Sequence, residues 1–191
     1  MEGLGFGLAR NKITEVKNDR FFSICFLRNN KTGMLTRNEV ERYSRHIILP
    51  ELGISGQEKL KKAKVFVVGA GGLGSPILLY LAAAGVGTIG IADDDFVDES
   101  NLQRQVIYGS DDVGQPKVLQ AKKKLLAANP NIDVVSYLQR VTSNNILNLI
   151  KDYDIVVDGS DNFSTRYLVN DACVILKKPL VFGSIFKLTR F

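Results

Sequence analysis

The sequence predicts an α/β protein, an open and mostly parallel sheet with helices on both faces and a helical N-terminal arm. Three observations predict it. Short β-branched runs alternate with stretches of helical apolar spacing over most of the chain. A glycine-rich turn separates the first of these runs from the helix after it. The composition, 45% hydrophobic and 24% charged over 191 residues, suits a globular domain that needs no disulfide or metal support.

Taken in order, residues 36–49 read as the helical arm. Thr36 is placed to cap it, Glu39 completes a capping box, and Val40, Tyr43, Ile47 and Ile48 form an apolar stripe that Pro50 ends. A short charged helix over 56–63 follows. The first strand is 64–68, then come the glycines and a strongly apolar helix over 73–84. The second strand, 88–92, ends at Asp93, Asp94 and Asp95. A polar stretch leads to Gly114 and a helix over 115–128 with Pro116 in its first turn. Asn129-Pro130-Asn131 breaks that helix. The remaining elements are a strand over 132–138, a helix over 143–151 capped by Ser143, a strand over 154–157, a helix over 162–177 and a strand over 180–182. Parallel strands need crossovers of this kind. Residues 1–34 read as a loosely ordered extension, and 35–191 as one nucleotide-binding domain.

Several classes are excluded by composition. Two cysteines, Cys25 and Cys173, give no disulfide framework and cannot complete a four-ligand zinc site. No apolar run approaches the roughly 18 residues of a membrane helix. The net charge of +5 is spread along the chain without interleaved aromatics, which argues against direct nucleic-acid binding. The first residues lack a secretory leader, and Glu2, Glu15 and Asp19 count against an organelle transit segment, so a cytoplasmic location is expected.

Ligands of open α/β sheets bind beyond the carboxyl ends of the strands, so the loops after Val68, Ala92 and Val157 matter most. The first is Gly69-Ala70-Gly71-Gly72-Leu73-Gly74, a G-x-G-x-x-G pattern between strand and helix, typical of a Rossmann-like sheet. Glycines let backbone N–H groups approach a phosphate, and the helix N-terminus favours an anion. Asp93, about twenty residues on, stands where a carboxylate reaches a ribose hydroxyl. These features suit NAD or ATP equally. Arg104, in the run Ser100-Asn101-Leu102-Gln103-Arg104-Gln105, and Lys117 add two cations at the strand ends, as a departing pyrophosphate requires. A dehydrogenase needs no such pair and does need a proton donor, yet the one histidine, His46, lies on the N-terminal helix. After the fourth strand, Asp161 is placed to hold Mg²⁺ with phosphate oxygens, the alternative being that Asp161 or Asn162 caps the next helix.

With these segments in hand, the chain resembles the ubiquitin-activating-like adenylyltransferases in their small form, which activate sulfur-carrier proteins. The segments that carry the resemblance are 42–49, Gly69 to Gly74, 101–105, 114–117, 160–162 and 166–173. The resemblance implies ATP-dependent adenylation of the C-terminal glycine of a small ubiquitin-like carrier with a Gly-Gly terminus, releasing pyrophosphate, for molybdenum cofactor synthesis or tRNA thiolation. It implies an ATP site formed by Gly72, Asp93, Ser100, Asn101, Leu102, Gln103, Arg104, Lys117, Asp161 and Asn162, with Asp161 on Mg²⁺. Arg45 matches an arginine that reaches the phosphates of a neighbouring subunit, which implies a homodimer.

The family normally continues past the fifth strand, with further strands that contact the carrier, two C-x-x-C pairs for structural zinc and often a reactive cysteine. The zinc ligands are absent here and Cys173 does not match the reactive cysteine. The expectation is therefore a domain incomplete at its C-terminus, with exposed apolar surface. Catalysis stays open against two alternatives: a non-catalytic nucleotide-binding or dimerising module, and an NAD-dependent oxidoreductase.

Overall fold

The computed structural model describes residues 35–183. The expected N-terminal extension, with Cys25, and the last eight residues lie outside the described residues. By its backbone contacts the chain divides into two compact units, 1–58 and 59–191.

In the first unit, α1 (Arg37–Arg42) begins at the expected capping box. Thr36 Oγ1 accepts from the Glu39 N–H at 3.3 Å, and Glu39 Oε2 accepts from the Thr36 N–H at 2.7 Å. The single helix expected over 36–49 is broken at Tyr43. There the backbone tightens, and the Tyr43 carbonyl accepts from both His46 N–H and Ile47 N–H before α2 (Ser44–Ile47) continues. Tyr43 is buried with Val40 and Ile47, and its ring stacks on His46 at 6.2 Å. The His46 Nδ1 is 3.0 Å from Oε1 of the buried Gln57, so this histidine has a structural partner. Next comes α3 (Gly53–Lys62), which starts three residues before the expected 56 and carries the chain into the second unit.

The second unit is a five-stranded, wholly parallel sheet: β1 (Lys64–Val68), β2 (Thr88–Ala92), β3 (Asp133–Tyr137), β4 (Ile155–Asp158) and β5 (Leu180–Phe182). Their order is β3-β2-β1-β4-β5, so the winding direction reverses between β1 and β4. The register pairs Val68 with both Ala92 and Asp158, which brings three carboxyl ends level at that reversal. Alternation along β1 feeds two cores. Val65 and Val67 pack on one face with Leu78, Ala82, Val118 and Leu125 of α4 (Gly74–Ala84) and α5 (Lys117–Ala128). Phe66 and Val68 pack on the other with Ile146, Ile150, Val169 and Cys173 of α6 (Ile146–Ile150) and α7 (Phe163–Ile175). Burial on both faces is why β1, β2 and β4 are near-continuous apolar runs rather than alternating ones. The fully buried Phe66 contributes roughly 2–3 kcal/mol by removal from water.

Two local expectations differ. Ser143 does not cap α6. Asn145 occupies the cap position, and its side-chain oxygen instead accepts from the Thr142 N–H at 2.8 Å, tightening the preceding turn. Residues 93–116 are not featureless, because two 3₁₀ turns, Glu99–Asn101 and Ser110–Asp112, organise them. At the edge of the described sheet, Val181 and Phe182 of β5 are exposed. Among the described residues no helix is long and apolar enough to cross a membrane.

Candidate active site

A cleft of about 580 Å³ opens at the carboxyl ends of β1, β2 and β4. Its floor is the glycine-rich turn. Gly69 has φ +87°, a conformation that side chains rarely adopt. A Cβ on Gly74 would lie 1.9 Å from the Gly69 carbonyl oxygen, so the start of α4 can sit this close to the turn only without a side chain. Gly69, Gly71 and Gly72 line the cleft, while Gly74 is buried behind it.

Asp93 reaches back from β2 to fasten this turn. Its Oδ2 accepts from the Ala70 N–H at 2.7 Å and its Oδ1 from the Asp95 N–H at 2.8 Å. Burial raises its carboxyl above the ordinary value of 3.8, although both N–H bonds and the Lys117 charge pull it down. The residue expected at a ribose therefore holds the glycine-rich turn.

Lys117 projects into the cleft from the first turn of α5 and is 4% exposed, which a plain surface cation would not be. Its Nζ is 2.9 Å from Asp95 Oδ2, and its own N–H donates to the Asp95 carbonyl at 2.9 Å. Further bonds, Val97 N–H to Gln115 O and Gly114 N–H to Val97 O, clip the helix start to the segment after β2. Arg104 is exposed at the rim, with its stem 3.6 Å from where a Gly72 Cβ would stand. Its Nη1 donates to the Ser100 carbonyl at 3.2 Å.

The rest of that run divides by role. Asn101 lines the cleft. Ser100, Leu102 and Gln103 do not: the Ser100 N–H and hydroxyl both donate to Asp98 Oδ1, Leu102 packs on the core, and Gln103 lies in solvent. Those Ser100 bonds, the hydroxyl first, hold the Asp98 carboxyl below its ordinary value. At the far wall, Asn162 caps α7 by accepting from the Thr165 N–H and the Ser164 hydroxyl, each at 2.8 Å. Asp161, beside it, is exposed to the cleft and has no hydrogen bond among the described residues. Asp161 thus joins Asp93, Asp94 and Asp95 among the carboxylates that line the cleft.

Arg45 is exposed on α2 of the first unit, and the role expected for it concerns a second copy of the chain. Among the described residues the one group of three side chains that could hold a metal ion is Asp93, Asp94 and Asp95, and Cys173 is buried in the α7 core. Several lining residues escape the sequence reading. Gln139, Arg140 and Val141 follow β3, a strand end that the same carboxyl-end rule covers. Thr165 and Arg166 come from the first turn of α7. Gln105 belongs to a run already singled out. It is 3% exposed, and its Oε1 has no hydrogen-bond partner among the described residues.

Comparison with known proteins places this geometry. The model of the ThiF family matches residues 43–189. The chain is 60% identical over 153 residues to a probable adenylyltransferase/sulfurtransferase, MoeZ, of Mycobacterium tuberculosis, covering 80% of this chain and 39% of that one. It is 58% identical over 152 residues to a sulfur carrier protein adenylyltransferase of Thermus thermophilus, covering 80% of this chain and 56% of that one. Among solved structures, the tRNA N6-threonylcarbamoyladenosine dehydratase TcdA of E. coli in complex with ATP superposes with a TM-score of 0.74 at 27% identity. That match covers 78% of this chain and 61% of that one. The chain thus spans about half the length of the curated relatives it matches.

Proposed function

The chain belongs to the ThiF family, and from that premise we propose that its cleft binds ATP and adenylates the C-terminal glycine of a small sulfur-carrier protein. The observation that carries this reading is the buried Lys117, held at the mouth of a glycine-floored, nucleotide-sized cleft. In the reaction, a carboxylate oxygen of the carrier's terminal glycine forms a bond to the α-phosphorus. The bond from that phosphorus to the bridging oxygen breaks, leaving a carrier acyl-adenylate and pyrophosphate.

The two reactants repel each other, and this chain's residues offset that. Lys117 and Arg104 bring positive charge to the phosphates, where their effect grows as water is excluded. The N–H groups of Gly71 and Gly72 make no hydrogen bond among the described residues and are available to phosphate oxygens. Asp93 keeps the glycine turn in place and takes the ribose with its remaining lone pairs. Asp161 would hold Mg²⁺ together with phosphate oxygens, and the ion, when bound, shields the triphosphate charge. Arg45 acts from the other copy of a homodimer. An all-apolar outer face on α4, with Tyr80 at 78% exposure and no charged residue over 74–84, supports such an assembly.

The test is exchange of labelled pyrophosphate into ATP with a Gly-Gly-ended carrier. Exchange that needs both the carrier and its terminal glycine is expected. A folded chain that binds the carrier and ATP but supports no exchange would contradict the reading.

A further inference from the structure

Tyr108 lies between the two cation-bearing segments and is buried on the sheet face that carries α4 and α5. Its hydroxyl donates to the Ala70 carbonyl at 2.9 Å, and the Lys117 carbonyl is 3.3 Å away. Ala70 is itself wholly buried, and its N–H is held by Asp93. Both polar groups of this one residue are therefore fixed, by side chains from two different segments. A trans peptide is planar, with its C=O and the following N–H pointing in opposite directions. Pinning the Ala70 carbonyl onto Tyr108 consequently turns the Gly71 N–H away from Tyr108. Gly71 lines the cleft, and its N–H has no partner among the described residues. Burial, then the negative charges of Asp93 and Asp112, push the phenol well above its ordinary value, so at neutral pH the hydroxyl keeps the proton that it donates.

We propose that Tyr108 is a positioning residue of this site. By fixing the Ala70 carbonyl beside the backbone of Lys117, its hydroxyl aims the Gly71 N–H at the phosphates of the bound nucleotide. The inference rests on the ATP reading above and adds to it a residue that touches neither the nucleotide nor the carrier.

The experiment compares the full chain with Tyr108→Phe, which keeps the ring and deletes the hydroxyl. Each is titrated calorimetrically with Mg-ATP and with adenosine, and the Gly71 amide resonance is followed by NMR. The expected result is a loss of Mg-ATP affinity on the order of tenfold in the variant, as for one misaimed charge-assisted hydrogen bond. Adenosine, which has no phosphates, should lose no affinity. In the wild-type chain Mg-ATP should shift the Gly71 amide strongly, a readout that needs no variant to fold. Equal Mg-ATP affinity in the two chains overturns the proposal, as does an equal loss for adenosine, or a wild-type Gly71 amide unmoved at saturating Mg-ATP. A wild-type chain that binds no Mg-ATP overturns the ATP reading itself and this inference with it.

Discussion

Lys117 is a cation taken out of water and left facing one exposed carboxylate, Asp95, whose side chain is 69% accessible. Asp95 is well solvated without Lys117, so the pair offsets little of the cost of burying that cation, and the position is best explained by what it offers an incoming anion. Replacing Lys117 by alanine should lower pyrophosphate exchange by about 10² or more while the melting temperature changes little. An exchange rate close to that of the wild type would remove Lys117 from the mechanism. Two other carboxylates answer to acid with opposite signs. Burial alone would raise Asp112, but the Gly109 N–H and Lys124 outweigh it and hold the carboxyl below 3.8. A depressed folded value gives stabilisation that is present above the unfolded value and lost as pH falls through the folded one. Asp93, raised by burial, does the reverse: its charge opposes folding above its raised value, and that opposition fades as pH falls toward 3.8. Urea titrations should therefore find Asp112→Asn less stable than wild type near neutrality, with the gap closing as pH drops below 3.8. A gap that widens in acid would refute this assignment.

At the scale of elements, β2 has little room for variation. A Cβ at Gly90 would come within 2.5 Å of the Tyr153 ring and 2.7 Å of Phe66, inside the core beneath the sheet. Gly90→Ala should cost roughly 1–3 kcal/mol, as overpacked cores do, read as a lowered urea midpoint. An unchanged midpoint would mean that the two rings can step aside. This crowded core is also why the sheet was legible in the sequence. The runs 64–68 and 88–92 coincide with β1 and β2, since strands covered on both faces leave compact apolar blocks between polar boundaries, and 180–182 coincides with β5, an apolar run bounded by Pro179 and Gly183. The arm was less legible, because one apolar stripe serves both α1 and α2, and the break at Tyr43 changes the backbone without interrupting the stripe. In the site, residues set by backbone pattern were readable: the glycine turn, and Lys117 after Pro116. Asp95 and Tyr108 were not, because each acts through a partner distant in sequence, Lys117 at 22 residues and Ala70 at 38. Arg140 was missed because the loop after β3 carries no glycine or acidic signature.

For the whole molecule, the reading requires two copies, since Arg45 is proposed to serve the neighbour's site. Sedimentation should give twice the 21.1 kDa chain mass. Mixing Arg45→Ala with Lys117→Ala chains should restore roughly a quarter of wild-type exchange, because each mixed dimer regains one complete site. No recovery on mixing would place Arg45 outside the reaction. The central claim, however, concerns the cleft where β1, β2 and β4 end. The measurement that tests it most directly is a calorimetric titration of the chain with Mg-ATP and, in parallel, with NAD. Saturable binding of Mg-ATP with none of NAD, abolished or greatly weakened in Lys117→Ala, is the predicted result. Binding of NAD instead, or of neither nucleotide by a folded chain, would contradict it.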